Sequence, residues 1–277
     1  SFSLGGNLNR LFTGHMPEYP LYPGEPIRYH FLFYLLVGGM EKLGFPLNWA
    51  LNIPSALGFT LLLWVIWSLA LKLFNDRRVA TLSIIFFLFN GSLAFIKFFT
   101  LHPLSLNTPR DILNVRSYPA FGPWDGGVVS AFWNLNIYTN QRHLAASLAL
   151  GILFMLWCVR QESISWKRSL PMAVIWGCII GILPFFHQPM LLTIAIILTS
   201  YFIVLPKLRI PLVVTGLISL ILIIPQLRLL PPAATSVISW YPGYLIHDDL
   251  GMMQFLWYWF ANLGPHAILI PVGFLFI

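Results

Sequence analysis

The chain has 277 residues, 58% of them hydrophobic and only 9% charged, with a mean hydropathy of +0.77. Soluble domains carry about a quarter charged residues, so a surface wetted all round is excluded. The formal charge of +7 does not mark a nucleic-acid binder, because the basic residues are scattered between apolar runs rather than gathered in one patch. Cys158 and Cys178 both fall in apolar stretches, where a thiol packs as a small apolar group and a disulfide framework is not expected.

Residues 1–30 are polar and turn-rich, with Pro17, Pro20, Pro23, Gly24 and Pro26 preventing a long helix. The apolar run 31–43 is short for a bilayer of about 30 Å and suits a helix lying along the interface, with a tilted crossing as the alternative. Spans are expected over 50–74 and 79–98, joined by the basic turn Asn75-Asp76-Arg77-Arg78. The stretch 100–142 is rich in Asn, Pro and Gly, lacks hydrophobic periodicity and reads as a loop. Four further spans are expected at 144–159, 170–186, 191–205 and 210–224. After them come a loop over 225–251, an aromatic interfacial helix at 252–263, and a span beginning near Ala267.

The expected fold is therefore all-α: a polytopic transmembrane helical bundle with interfacial helices and long outer loops. It is read as one transmembrane domain over 1–277, truncated at both ends, since the chain opens without Met and stops inside an apolar run. Its parts are an outer loop and interfacial helix (1–46), two spans (47–98), an outer loop (99–142), four spans (143–226), and a final loop, interfacial helix and truncated span (227–277).

Charge sets the orientation. The short turns 72–78, 160–168 and 207–209 hold eight of the sixteen Lys/Arg and two of the nine acids. Basic residues concentrate in short cytoplasmic loops, so these turns are expected inside. Glu18, Glu25, Asp111, Asp125, Asp248, Asp249 and all seven histidines then face the outer side.

The candidate site residues follow from that placement. Glu18 and Glu25 are the acids of the first outer loop, and Glu25 heads a run that brings Arg28 and His30 within six residues. Such a cluster can serve as a base and an acceptor-binding site, or form an exposed ion pair worth about 0–1 kcal/mol. Gln141, Arg142 and His143 stand where the long loop enters a span, after Asn134, Asn136 and Asn140. An Arg there can grip a lipid phosphate with two parallel N–H groups, or snorkel to headgroups. His187 fills a tight outer turn after Pro184, as a phosphate ligand or as a turn residue bonding a helix end. Asp125, beside Trp124, suits a sugar's hydroxyls, while belt placement is the plainer reading of Trp133 and Tyr138 and, narrowly, of Trp124. His247-Asp248-Asp249 is a loose ligand set for Mg or Mn, although three adjacent residues rarely all reach one ion and solvated charge is the plainer reading. No metal ligands, and no cofactor beyond that Mg or Mn, are assigned.

Three adjoining segments resemble the membrane glycosyltransferases of the GT-C superfamily, in particular the protein-mannosyltransferase-like branch. "YHFLFYLLVGGMEKLGF" (29–45) resembles that family's interfacial helix after the first outer loop. "IPSALGFTLLLWVIWSLALKLFNDRR" (53–78) resembles the next span, which often opens on Leu-Pro-Ser-Ala and closes on a basic turn. "VATLSIIFFLFNGSL" (79–93) resembles the span after that, with its polar break at Asn90-Gly91-Ser92. The resemblance implies a polyprenyl-phosphate-linked sugar as donor and a hydroxyl acceptor on a glycan, lipid or protein. It also implies an integral protein of a prokaryotic plasma membrane, in contact with membrane lipid, acting on the outer face. Such enzymes carry an acid soon after their first span, a position expected just before Ser1. Two other functions remain open on the residues alone: a transporter or flippase, and a non-catalytic assembly subunit. Transporters place ionisable groups inside spans near the midplane, and here those groups gather in the outer loops.

Overall fold

A computed structural model of the chain describes residues 31–89, 91–93, 96–114, 137–138, 142–161, 165–229 and 251–275, with Thr13, His15, Pro17, Glu18, Gly24, Glu25 and Ile27 before them. The described residues form helices and no strand. In chain order the helices are α1 (Leu32–Lys42), α2 (Leu47–Phe74), α3 (Arg77–Leu88), α4 (Ile96–Leu101), α5 (Thr108–Asn114), α6 (Arg142–Gln161), α7 (Trp166–Phe186), α8 (Gln188–Val204), α9 (Arg209–Leu229), α10 (Met252–Leu263) and α11 (His266–Phe274). The chain divides into two compact units, one of Ser1–Ser83 with Gln141–Ser236 and one of Ile84–Asn140 with Val237–Ile277.

Four segments are long and apolar enough to cross a membrane: Leu47–Phe74, Arg142–Gln161, Trp166–Phe186 and Pro206–Leu227. Helix α8 is apolar but has 17 residues, the lower limit for a crossing. Large apolar side chains point outward on these helices, with Leu192 67% and Ile221 68% exposed, while Ser147, Ser169, Thr215 and Ser219 are buried. Big residues outside and small or hydroxylated ones between helices is how helices pack when lipid is the solvent. The protein is an integral membrane protein with an all-α helical fold.

The basic turns are built from capping chemistry. Asn75 ends α2 in the left-handed conformation (φ 51°), and its N–H bonds Leu71 O at 2.9 Å. Asp76 then accepts the Arg78 N–H at 2.6 Å, satisfying a donor at the start of α3. At the next turn, Ser169 Oγ donates to Gln161 Oε1 at 2.9 Å and ties α7 to α6. At the third, Arg209 donates to Phe202 O at 3.1 Å and lies 5.6 Å from that residue's ring centre. Lys167 sits 5.7 Å from the centre of the Trp166 ring. Cations stacked on aromatics fit the headgroup level of a bilayer.

Two close helix pairs organise the first unit. Helices α2 and α6 run parallel, with Gly58 against Ala146, and α7 and α9 run parallel, with Gly177 against Ile218 and Gly181 against Leu222. A hydrogen-bond ladder follows the second pair: Thr215 donates to Ala173 O at 3.0 Å, Ser219 to Gly177 O at 3.1 Å, and Gln226 to Gly181 O at 2.5 Å. The core beside it is aromatic, with Phe154, Trp157 and Trp176 packed on Leu183, Met190 and Ile194. Because α2 parallels α6 and α7 parallels α9, the basic turns gather at one end of this unit. The start of α6 and the α7–α8 turn stand at the other.

Two expectations are corrected. The span expected over 79–98 is interrupted: α3 ends at Leu88 after 12 residues, and α4 begins at Ile96. Twelve helical residues rise about 18 Å, well short of the hydrocarbon core. The break falls on the polar and glycine positions, where Gly91 and Ser92 are buried outside any helix. The loop expected over 99–142 contains helix α5, whose Thr108 hydroxyl accepts the Ser105 N–H at 2.8 Å. The short helices expected at 31–43 and 252–263 are present as α1 and α10.

Candidate functional site

The mouth of the first unit, opposite its basic turns, collects the start of α6, the second turn of α2, the end of α7 and the start of α8. Arg142 is the first residue of α6, and its Nη1 donates to Asn52 Oδ1 across the parallel α2–α6 contact. His143 turns inward and is 6% exposed; His187 is 7% exposed. The two imidazole rings lie 5.3 Å apart and tilted by 47°, with Phe33 of α1 6.3 Å from His143.

His187 is held by the backbone around it. Helix α7 ends where His187 swings to φ −167°, and the His187 N–H still bonds Leu183 O at 2.7 Å. Its Nδ1 accepts the Met190 N–H at 3.3 Å, and that N–H also lies 3.2 Å from His187 O. The histidine thus caps α8 in the way Ser or Asn usually does. An Nδ1 that accepts a hydrogen bond carries no proton, so the neutral ring bears its hydrogen on Nε2. His187 is therefore a donor at Nε2 and is not set up as a metal ligand there. Burial lowers its pKa below the usual 6.5, which keeps the ring neutral.

The N-terminal segment is pinned beside this mouth. The Ile27 N–H bonds Pro17 O at 2.8 Å, closing the stretch that carries Glu18 and Glu25. The Phe31 N–H bonds Phe185 O at 2.9 Å, and the two rings stand 4.9 Å apart. Glu18 is half-buried and Glu25 is exposed. Arg28, His30, Asp125, Gln141 and the 247–249 cluster lie outside the described residues. Among the described residues, no three His, Cys, Asp or Glu side chains come together as metal ligands.

The structure thus brings together Arg142, His143 and His187, candidates from separate stretches of sequence. Asn52 belongs with them and escapes sequence reasoning: a lone amide in an otherwise apolar span is the available signal. Glu41, on the last turn of α1, escapes it too. One of its carboxylate oxygens is buried without a hydrogen-bond partner among the described residues, and it sits in the Phe33–Val37–Glu41 stripe whose first two members pack against Ala50. Chemically, the mouth offers a guanidinium, one fixed neutral N–H donor and a second buried imidazole. That set suits binding of an anionic oxygen at the membrane boundary. No protein family matches the chain, and no curated protein or solved structure matches it either.

Proposed function

We propose that this chain is a membrane glycosyltransferase of the GT-C type, moving a sugar from a polyprenyl-phosphate-linked donor to an acceptor hydroxyl on the outer face of a prokaryotic plasma membrane. The observation that carries this reading is the approach of His143 and His187, rings 5.3 Å apart, beside the Arg142–Asn52 pair at the bundle end opposite the basic turns.

The reaction needs a carboxylate to take the acceptor's proton, and charge or donors to hold the departing phosphate. In the proposed step the acceptor oxygen attacks the anomeric carbon while the bond from that carbon to the phosphate oxygen breaks. The proton goes to a carboxylate, and polyprenyl phosphate leaves with the electron pair. Arg142 is assigned to the phosphate, with Asn52 holding its guanidinium in place. His187 donates from Nε2, and Glu25 or Glu18 takes the proton. The apolar outer faces of the helices keep the polyprenyl chain in lipid while its headgroup reaches the mouth.

The test uses purified protein in lipid nanodiscs with a polyprenyl-phosphate-linked sugar labelled in the sugar. Labelled product and free polyprenyl phosphate should appear in equal amounts, and Arg142→Ala should lower the rate about a hundredfold, the scale of losing one group that stabilises developing charge. An Arg142→Ala variant that folds and transfers sugar at the native rate would overturn the assignment.

A further inference from the structure

The cap on α8 has a chemical weakness that Ser, Thr, Asn or Asp in its place would not have. A histidine accepts at Nδ1 only while that nitrogen is unprotonated. Once protonated, Nδ1 becomes a donor facing the Met190 N–H, itself a donor, and the contact at 3.3 Å turns repulsive. The new charge would also stand against the His143 ring 5.3 Å away.

Among the described residues, the helices around His187 carry few charged groups. Helix α7 contributes Phe185 and Phe186 and carries no charged residue after Arg168, and α8 carries none over its whole length. Helix α1 presents Phe31 and Phe33, with Glu41 and Lys42 two turns further along. Helix α2 offers Asn52, its first cation being Lys72 at the other end. On α9, Arg209 belongs to the basic end and Arg228 stands one residue before the helix's other end, the mouth end. The N-terminal segment brings Glu18, half-buried, and Glu25, exposed.

We propose that His187 is a proton-released latch: protonating Nδ1 breaks the cap at Met190 and frees the first turn of α8, loosening the mouth of the bundle in acid. The latch is a property of the fold and holds whatever reaction the mouth performs. Because a buried neutral histidine gains a proton more readily once the turn opens, the open population should rise by up to about tenfold per pH unit as pH falls below about 6.5.

Hydrogen–deuterium exchange on the full chain in nanodiscs, corrected for the intrinsic pH dependence of exchange, reads this directly. From pH 8 to 5.5, protection of the Met190 and Leu191 amides should fall by up to about tenfold, while the mid-helix amides of α9 hold theirs. His187→Asn keeps a capping side chain that does not titrate, so its profile should be flat; His143→Gln should keep the native fall. A flat profile in the native protein overturns the proposal without any variant. So does a fall that persists in His187→Asn, or one that disappears in His143→Gln.

Discussion

Gly177 tests the α7–α9 contact, on which the position of the mouth depends. A Cβ built there would lie 2.7 Å from Ile218 Cβ and 3.1 Å from Thr215 O. Carbon atoms pack at about 3.5–4.0 Å, so Gly177→Ala requires α9 to retreat by about 1 Å. Neither neighbour is a flexible tip that could swing aside. The retreat also stretches the Thr215 bond to Ala173 O, at 3.0 Å, and the Ser219 bond to Gly177 O, at 3.1 Å. Overpacking costs about 1–3 kcal/mol, and interhelical hydrogen bonds in membranes average about 0.6 kcal/mol each. Against these, Ala gains up to about 1 kcal/mol over Gly in helix propensity. The net expectation is destabilisation by about 1–3 kcal/mol. Gly216, on α9, is the control, because the nearest atom to its Cβ is Leu198 Cδ1 at 4.0 Å. Gly216→Ala meets no obstacle and should leave stability unchanged or raise it by up to about 1 kcal/mol. Equilibrium unfolding of both variants in mixed detergent and SDS decides the matter. A Gly177→Ala protein as stable as the native one, or a Gly216→Ala protein equally damaged, would refute this packing.

Thr215→Val removes the hydroxyl bond to Ala173 O while keeping the side-chain shape, and the same titration should show a loss of about 0.6–1.7 kcal/mol. Asn75→Val places a β-branched residue at φ 51° and should cost about 1–2 kcal/mol, whereas Asn75→Gly should be close to neutral in thermal unfolding. His187, whose pKa is lowered by burial, should make overall stability pH-dependent: its contribution is complete above about 6.5 and is lost progressively as pH falls from there through the lower folded value, because the unfolded chain binds the proton first. Thermal unfolding at pH 8 and pH 5.5 should show the drop, and His187→Asn should remove it.

Much of the fold is legible in the sequence because lipid makes two signals strong. Apolar length marks the helices, and the basic clusters at 72–78, 160–168 and 207–209 mark one end of them. Counting crossings puts Arg142, His143 and His187 at one membrane level, while the approach of the two imidazole rings depends on how α6 packs on α8 and is not legible in the sequence. The break after Leu88 is harder to read, since Phe89 and the apolar residues beyond Ser92 sustain the hydropathy through it. The Thr215–Ser219–Gln226 ladder is not legible, because its acceptors are backbone carbonyls of α7 that lie 42 to 45 residues away in sequence. Only the register between two apolar helices decides that pairing. Asn52 is hidden for a related reason: a single amide in a span gains meaning once α6 is packed beside it in parallel. His187 has two open readings in the sequence, and its placement as the cap of α8 supplies its tautomer, which sequence does not encode.

The most direct measurement is the sidedness of the two ends of the bundle. Gln188→Cys at the mouth, and Asp76→Cys and Lys167→Cys at the basic turns, can each be treated in intact cells with a membrane-impermeant maleimide; all three positions are exposed. The native thiols are removed first, as Cys158→Ala and Cys178→Ala, so that only the introduced one reacts. The Gln188→Cys protein should label from outside, while the Asp76→Cys and Lys167→Cys proteins should label only after permeabilisation. Labelling of the basic turns from outside, with Gln188→Cys protected, would place the His143–His187 mouth in the cytoplasm and contradict outer-face chemistry.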